Sequence, residues 1–247
     1  SYGEHTVAEH AFALLLALAR KLRVAVRQTR ELDFSLSGLM GFDLKGKTLG
    51  VVGAGRIGRQ VLRIGRGFGM RTIAYDPFPA PEWAETEGFL YVSLDSLLRE
   101  SDVVSVHAAL TPETTHLIDR AALQAMKRTA VLINTARGPI IDTEALCEAM
   151  HEGWIAGAGL DVLEGEELLK EEAELLHRPL EDRQLRQLLY GHSLLRHDNV
   201  IVTPHSAFFT REGIARLVET SLDDIRAYLA GRPANLVPGS PAPAVRE

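Results

Sequence analysis

With one cysteine, Cys147, in 247 residues, the chain cannot close an internal disulfide, and nothing in it calls for an oxidising compartment. Long apolar runs are missing too. The longest, residues 11–19, is nine residues, against about 20 for a helix that spans a bilayer. Basic stripes are absent: 27 Lys and Arg are spread among 33 Asp and Glu for a formal charge of −6, which argues against a nucleic-acid groove. His5, Glu9 and His10 lie close together but match no metal-ligand spacing, so no metal is expected. What is present, 46% hydrophobic and 24% charged residues, is the ordinary globular balance. A soluble cytoplasmic enzyme or binding protein with no membrane partner is the class that remains.

The chain opens Ser1-Tyr2-Gly3 and enters a helical pattern at once, from which an upstream part is expected. Residues 6–30 carry Val7, Phe12, Leu14, Leu15, Leu18 and Leu22 at helical spacing, and Gly38, Gly41 and Gly46 then mark a loop. Beyond it, apolar runs at 48–52, 71–75, 103–107, 130–134, 155–160 and 200–203 alternate with helical stretches at 57–68, 94–100, 120–126 and 143–151. That alternation predicts an α/β fold, a Rossmann-type doubly wound parallel sheet with flanking interdomain helices. Two acid-rich helical patterns, 167–177 and 180–195, interrupt it, and a last helix is expected over 211–230. The tail 231–247, with four Pro and two Gly, reads as frayed.

Gly53-Ala54-Gly55-Arg56-Ile57-Gly58 directly follows one apolar run and opens a helix. Gly53 suits a tight turn, Gly55 lets backbone approach a pyrophosphate, and Gly58 lets helix and strand close up. A helix N-terminus beside them offers unpaired N–H groups to phosphate. The next run ends in Asp76, 18 residues after Gly58, where a carboxylate accepts from adenosine ribose hydroxyls and repels a 2′-phosphate. NAD is therefore the expected cofactor, in preference to NADP.

Three further runs end in chemically capable side chains: Arg137 in Asn134-Thr135-Ala136-Arg137-Gly138, Asp161 in Gly159-Leu160-Asp161-Val162, and His205 in Thr203-Pro204-His205. In an open parallel sheet, ligands bind outside the carboxyl ends of the strands. An arginine there suits a substrate carboxylate held bidentately, and an imidazole suits proton transfer near neutral pH. A carboxylate beside His205 would raise its pKa and fix its tautomer. With hydride arriving from NADH, the implied substrate is a 2-oxo acid. The other eight histidines, His10 and His107 among them, read as ordinary core or surface residues.

These residues resemble the D-isomer-specific 2-hydroxyacid dehydrogenases, and within them the D-lactate dehydrogenase branch. The likeness runs from Val7-Ala8-Glu9-His10 to Gly231-Arg232-Pro233 and includes Leu110-Thr111-Pro112-Glu113-Thr114 and Glu164-Gly165-Glu166. It implies a catalytic set of Arg137, Glu166 and His205, with Glu166 preferred over Glu164 because it follows the arginine by 29 positions. It further implies that Asp161 holds the nicotinamide carboxamide and that Arg56, Ile57, Thr114, Thr135, Ala136 and His205 touch the cofactor. Phe208 and Phe209 look like the lactate branch, although Phe209 stands where Tyr is common, which leaves substrate preference open. The resemblance implies an NAD domain over 1–206, whose leading segment 1–44 forms a homodimer interface, while 207–247 returns to a substrate domain with its N-terminal part absent. On this reading the fragment binds NAD but turns over poorly. The activity implied is reduction of a small 2-oxo acid such as pyruvate. An NAD-sensing, corepressor-like interaction protein is the alternative, and a phosphoglycerate or formate dehydrogenase of the same fold a third reading.

Overall fold

The computed structural model describes residues 3–170, 181–232 and 234–235. Each apolar run becomes a strand: β1 (Thr48–Val52), β2 (Arg71–Tyr75), β4 (Val103–Val106), β5 (Val131–Asn134), β6 (Gly157–Leu160) and β7 (Val200–Val202). A two-residue strand, β3 (Leu90–Tyr91), joins the edge beside β2. All are parallel, in the order β3-β2-β1-β4-β5-β6-β7. From β1 the chain winds outward to β3, then crosses back to β4 and winds the other way. The sheet is thus doubly wound, with its switch point between β1 and β4.

Every residue of β1, β4, β5 and β6 is buried, as a parallel sheet covered on both faces requires. On one face α1 (Glu4–Ala19) and α3 (Arg56–Gly67) set Ala11, Phe12, Leu15, Val61 and Leu62 against Leu49, Val51, Val131 and Ile133. On the other, α5 (Leu94–Glu100), α6 (Arg120–Ala125), α7 (Thr143–Glu152) and α9 (Asp182–Arg196) bring Leu97, Leu123, Leu146 and Leu194 onto Val52, Ile73, Val104 and Leu132. At about 1.5–3 kcal/mol for each large apolar side chain removed from water, these two layers are the main stabilising term.

The leading helix differs from its expectation. It is broken at Lys21, whose φ of 52° is left-handed, into α1 and α2 (Leu22–Arg30). α1 buries one side throughout, whereas α2 has no buried residue. What redirects α2 is Arg23, whose guanidinium donates to the carbonyls of Leu195, His197 and Val200 at 3.1, 3.1 and 2.6 Å. A short helix α4 (Pro81–Glu87) and a 3₁₀ turn (Gly138–Ile140) had no counterpart in the expected elements. The acid-rich segment contributes α8 (Glu166–Lys170) and α9, while residues 171–180 of its first pattern lie outside the described residues. The last helix is α10 (Arg211–Leu229), and most of the tail also lies outside them. Among the described residues no helix is long and apolar enough to cross a membrane.

Candidate active site

β1 runs straight into the glycine turn. Gly53 has φ 94°, a conformation that side-chain-bearing residues rarely adopt, and its amide donates to the Tyr75 carbonyl at 2.8 Å. A Cβ on Gly58 would lie 2.0 Å from the Gly53 carbonyl oxygen, so α3 packs on the turn only because that atom is missing. Gly55 has an ordinary φ of −70° and open space around its Cβ position. The absent side chain therefore answers to nothing among the described residues and leaves room for a ligand on the backbone at the start of α3. Asp76, at the end of β2, accepts from the amides of Ala54 and Phe78, each at 2.9 Å. One oxygen thus braces the glycine loop and the other its own turn, each with a lone pair left for a hydroxyl.

The carboxyl ends of β4, β5, β6 and β7 face a cleft of about 890 Å³ bounded by the start of α1, the start of α3 and α10. Arg56, Ile57, Thr135, Ala136, Arg137, Asp161 and His205 all line it. Thr135 Oγ1 is buried with no hydrogen-bond partner among the described residues, which points to a ligand group that would satisfy it. An open glycine loop, an unpartnered hydroxyl and a carboxylate on the second strand together fit a dinucleotide. Thr114 is turned into its own loop instead: its hydroxyl donates to the Ala109 carbonyl and accepts from the Thr111 amide, both at 2.7 Å.

His205 Nδ1 lies 2.8 Å from Glu166 Oε1. Because a carboxylate only accepts, Nδ1 carries the proton, and Nε2 is the nitrogen left for exchange with a ligand on the cleft. Glu164 sits in the same turn but points elsewhere, 3.4 Å from His116 Nε2 and 3.5 Å from Arg183 Nη2. The left-handed Gly165 between them, at φ 73°, separates the two carboxylates. Arg137 is exposed, and among the described residues its guanidinium meets only the Ala136 carbonyl, at 2.6 Å. It is thus placed at the strand end without a structural ion pair there.

Asp161 is 1% exposed and surrounded by donors: the amides of Ser206 and Ala207 at 2.9 and 2.8 Å, the Thr203 hydroxyl, and His10 Nε2 at 3.3 Å. Burial alone would raise its pKa, but the bonds from His10, Thr203, Ala207 and Ser206 outweigh it and hold the carboxyl below its ordinary range. Its place at the cleft agrees with a cofactor contact, yet most of its hydrogen-bonding capacity goes to the turn that carries His205. Two histidines that read as ordinary core or surface residues in the sequence take part here. His10 reaches Asp161 from α1, and a lone His on an apolar helix gives no sign of that. His107, at the end of β4, lines the cleft with Nε2 2.7 Å from Ser105 Oγ, and burial pushes its pKa down to about 3, so it is a neutral imidazole.

A family model described as D-isomer specific 2-hydroxyacid dehydrogenase, NAD binding domain, matches residues 12–207. A glyoxylate reductase of Korarchaeum cryptofilum is 42% identical over 237 residues, covering 94% of this chain and 65% of that protein. A D-lactate dehydrogenase of Escherichia coli is 41% identical over 225 residues, covering 91% of this chain and 66% of that protein. The chain thus spans about two thirds of the length of these curated relatives. Among solved structures, that of D-lactate dehydrogenase from Aquifex aeolicus complexed with NAD and lactic acid superimposes with a TM-score of 0.86 at 38% identity, covering 94% of this chain and 68% of that one.

Proposed function

The chain belongs to the D-isomer-specific 2-hydroxyacid dehydrogenase family, where it matches the NAD-binding domain, and from that premise we propose that it serves an NAD-dependent oxidoreductase interconverting a small 2-oxo acid and its D-2-hydroxy acid. The observation that carries this reading is the His205–Glu166 pair, 2.8 Å apart at a cleft that Arg137 also lines. NAD, when bound, supplies or takes up the hydride. This chain's own residues do the rest. The glycine loop and α3 hold the pyrophosphate, and Asp76 the adenosine ribose, with the preference for NAD that its charge imposes. Thr135 and Asp161 face the nicotinamide end. Arg137 binds the substrate carboxylate and draws charge from the neighbouring carbonyl. His205 gives a proton to the carbonyl oxygen from Nε2 in reduction and removes it in oxidation. Glu166 fixes the His205 tautomer and stabilises its protonated form.

Residues 1–206 form the NAD-binding unit, and the segment from 207 belongs to a substrate domain. Pyruvate is the substrate we favour. Phe208 and Phe209, their rings nearly perpendicular with centroids 6.0 Å apart, set an apolar border beside His205. The protein is a cytoplasmic homodimer in this reading. Leu32, Phe34, Leu36 and Met40, 77–91% exposed in the segment after α2, supply an apolar surface for a second copy. The test is NADH oxidation with pyruvate, glyoxylate and longer 2-oxo acids, by this chain alone and joined to a relative's remaining lobe, with His205→Gln alongside. Turnover that yields the D-enantiomer and needs His205 is the expected result. Tight NADH binding without turnover on any acid, lobe included, would overturn it in favour of a nucleotide-sensing interaction protein.

A further inference from the structure

His205 is held in a left-handed backbone conformation, φ 55°, which a residue with a Cβ keeps only where its surroundings enforce it. The enforcing contacts are on its own main chain and that of its neighbours. The His205 amide donates to the carbonyls of Asp161 and Thr203, each at 2.9 Å, and the next two amides, of Ser206 and Ala207, donate to the Asp161 carboxylate. Asp161 is therefore the post around which the turn is wrapped.

One side chain reaches that post from outside the β6 and β7 ends. His10 comes from the middle of α1 and places Nε2 2.9 Å from Thr203 Oγ1 and 3.3 Å from Asp161 Oδ1. The direction of these bonds follows from the chemistry. The Thr203 hydroxyl gives its only proton to Asp161, so towards His10 it accepts, and the carboxylate also only accepts. His10 must therefore carry its proton on Nε2.

We infer that His10 is a positioning residue for His205: its Nε2–H, shared between Thr203 and Asp161, locks the turn that presents the acid–base imidazole and ties that turn to the first helix. The inference rests on the catalytic role proposed for His205. Without the bond, Thr203 and Asp161 lose a common donor, and the turn gains freedom at the one place where its backbone is strained. A small displacement of a catalytic group lowers the rate far more than it lowers ligand affinity.

The test compares His10→Phe, His10→Gln and Thr203→Val in the full chain. His10→Gln keeps an N–H close to the Nε2 position, and Thr203→Val keeps the shape while removing the hydroxyl. Amide hydrogen exchange without dinucleotide or substrate is expected to speed up at Ser206 and Ala207 in His10→Phe and Thr203→Val, and to return toward wild type in His10→Gln. In the lobe-completed protein kcat is expected to fall roughly tenfold or more in the first two, with KM for NADH changed by less than about twofold. Gln is expected to restore most of it, and the double variant to lose no more than either single one. Unchanged exchange in both His10→Phe and Thr203→Val, or a Gln variant as impaired as Phe, would overturn the inference. If His10→Phe does not fold, Thr203→Val and His10→Gln decide the matter between them. Absence of wild-type turnover would count against the dehydrogenase reading alone, since the exchange measurement needs no activity.

Discussion

A methyl group at Gly55 would touch nothing within 4 Å among the described residues, while one at Gly58 would lie 2.0 Å from the Gly53 carbonyl oxygen. The two glycines thus differ: the fold requires Gly58, whereas Gly55 answers to the proposed pyrophosphate. Gly55→Ala is expected to leave Tm in place and weaken NADH binding, whereas Gly58→Ala is expected to lower Tm; thermal unfolding and a fluorescence titration with NADH separate them. Asp76→Ala is expected to raise KM for NADH roughly tenfold, the equivalent of about 1.4 kcal/mol, and to narrow the preference over NADPH. An unchanged NADH-to-NADPH ratio would remove Asp76 from the ribose site. His107 gives a pH signature. Its pKa is lowered from 6.5 to about 3 by burial, so the unfolded chain takes up the proton first as pH falls. Stability is lost from about 6.5 downward and the loss levels off near 3. In ligand-free protein, Tm of His107→Gln is expected to fall less than that of wild type over this interval.

Among the elements, the central strands are legible as continuous apolar runs because the sheet is covered on both faces, and the helices between them because their apolar residues recur at helical spacing. The misses have physical causes. β3 is two residues long and too short for any alternation to show. The break at Lys21 has no glycine or proline to mark it, because it is imposed by the Arg23 contacts of a chain segment more than 170 residues away. In the site, the glycine loop, Asp76, Arg137 and His205 stood out because each ends a strand. Residue type alone does not separate Glu164 from Glu166, since both lie in one turn and only the left-handed Gly165 parts them. His10 was illegible because its partner lies 193 positions on. Element ends also carry local stability. Thr210 caps α10 by accepting from the Gly213 amide at 3.0 Å, and Thr210→Ala is expected to cost about 1 kcal/mol in denaturant unfolding. Because α10 supplies Leu217 to the cleft wall, that change should also raise KM modestly.

For the whole molecule, the proposed homodimer makes a direct prediction: sedimentation at twice the chain mass, shifting to the monomer when Leu36 and Met40 are both changed to Asp. The same change should leave the far-ultraviolet spectrum intact, since both side chains are 85–91% exposed in the single chain. One feature of the fold bears on how it forms. α1 stands well before β5 and β6 in chain order, yet part of its apolar side is covered by them, and its His10 and Thr6 bond to Thr203 and Arg216. Contacts of such sequence separation form late and slow the search for the native state. Leu14 and Leu18, which meet Gly159 of β6, therefore gain their full cover only when β6 is in place, and the His205 turn, tied to α1 through His10, settles with them.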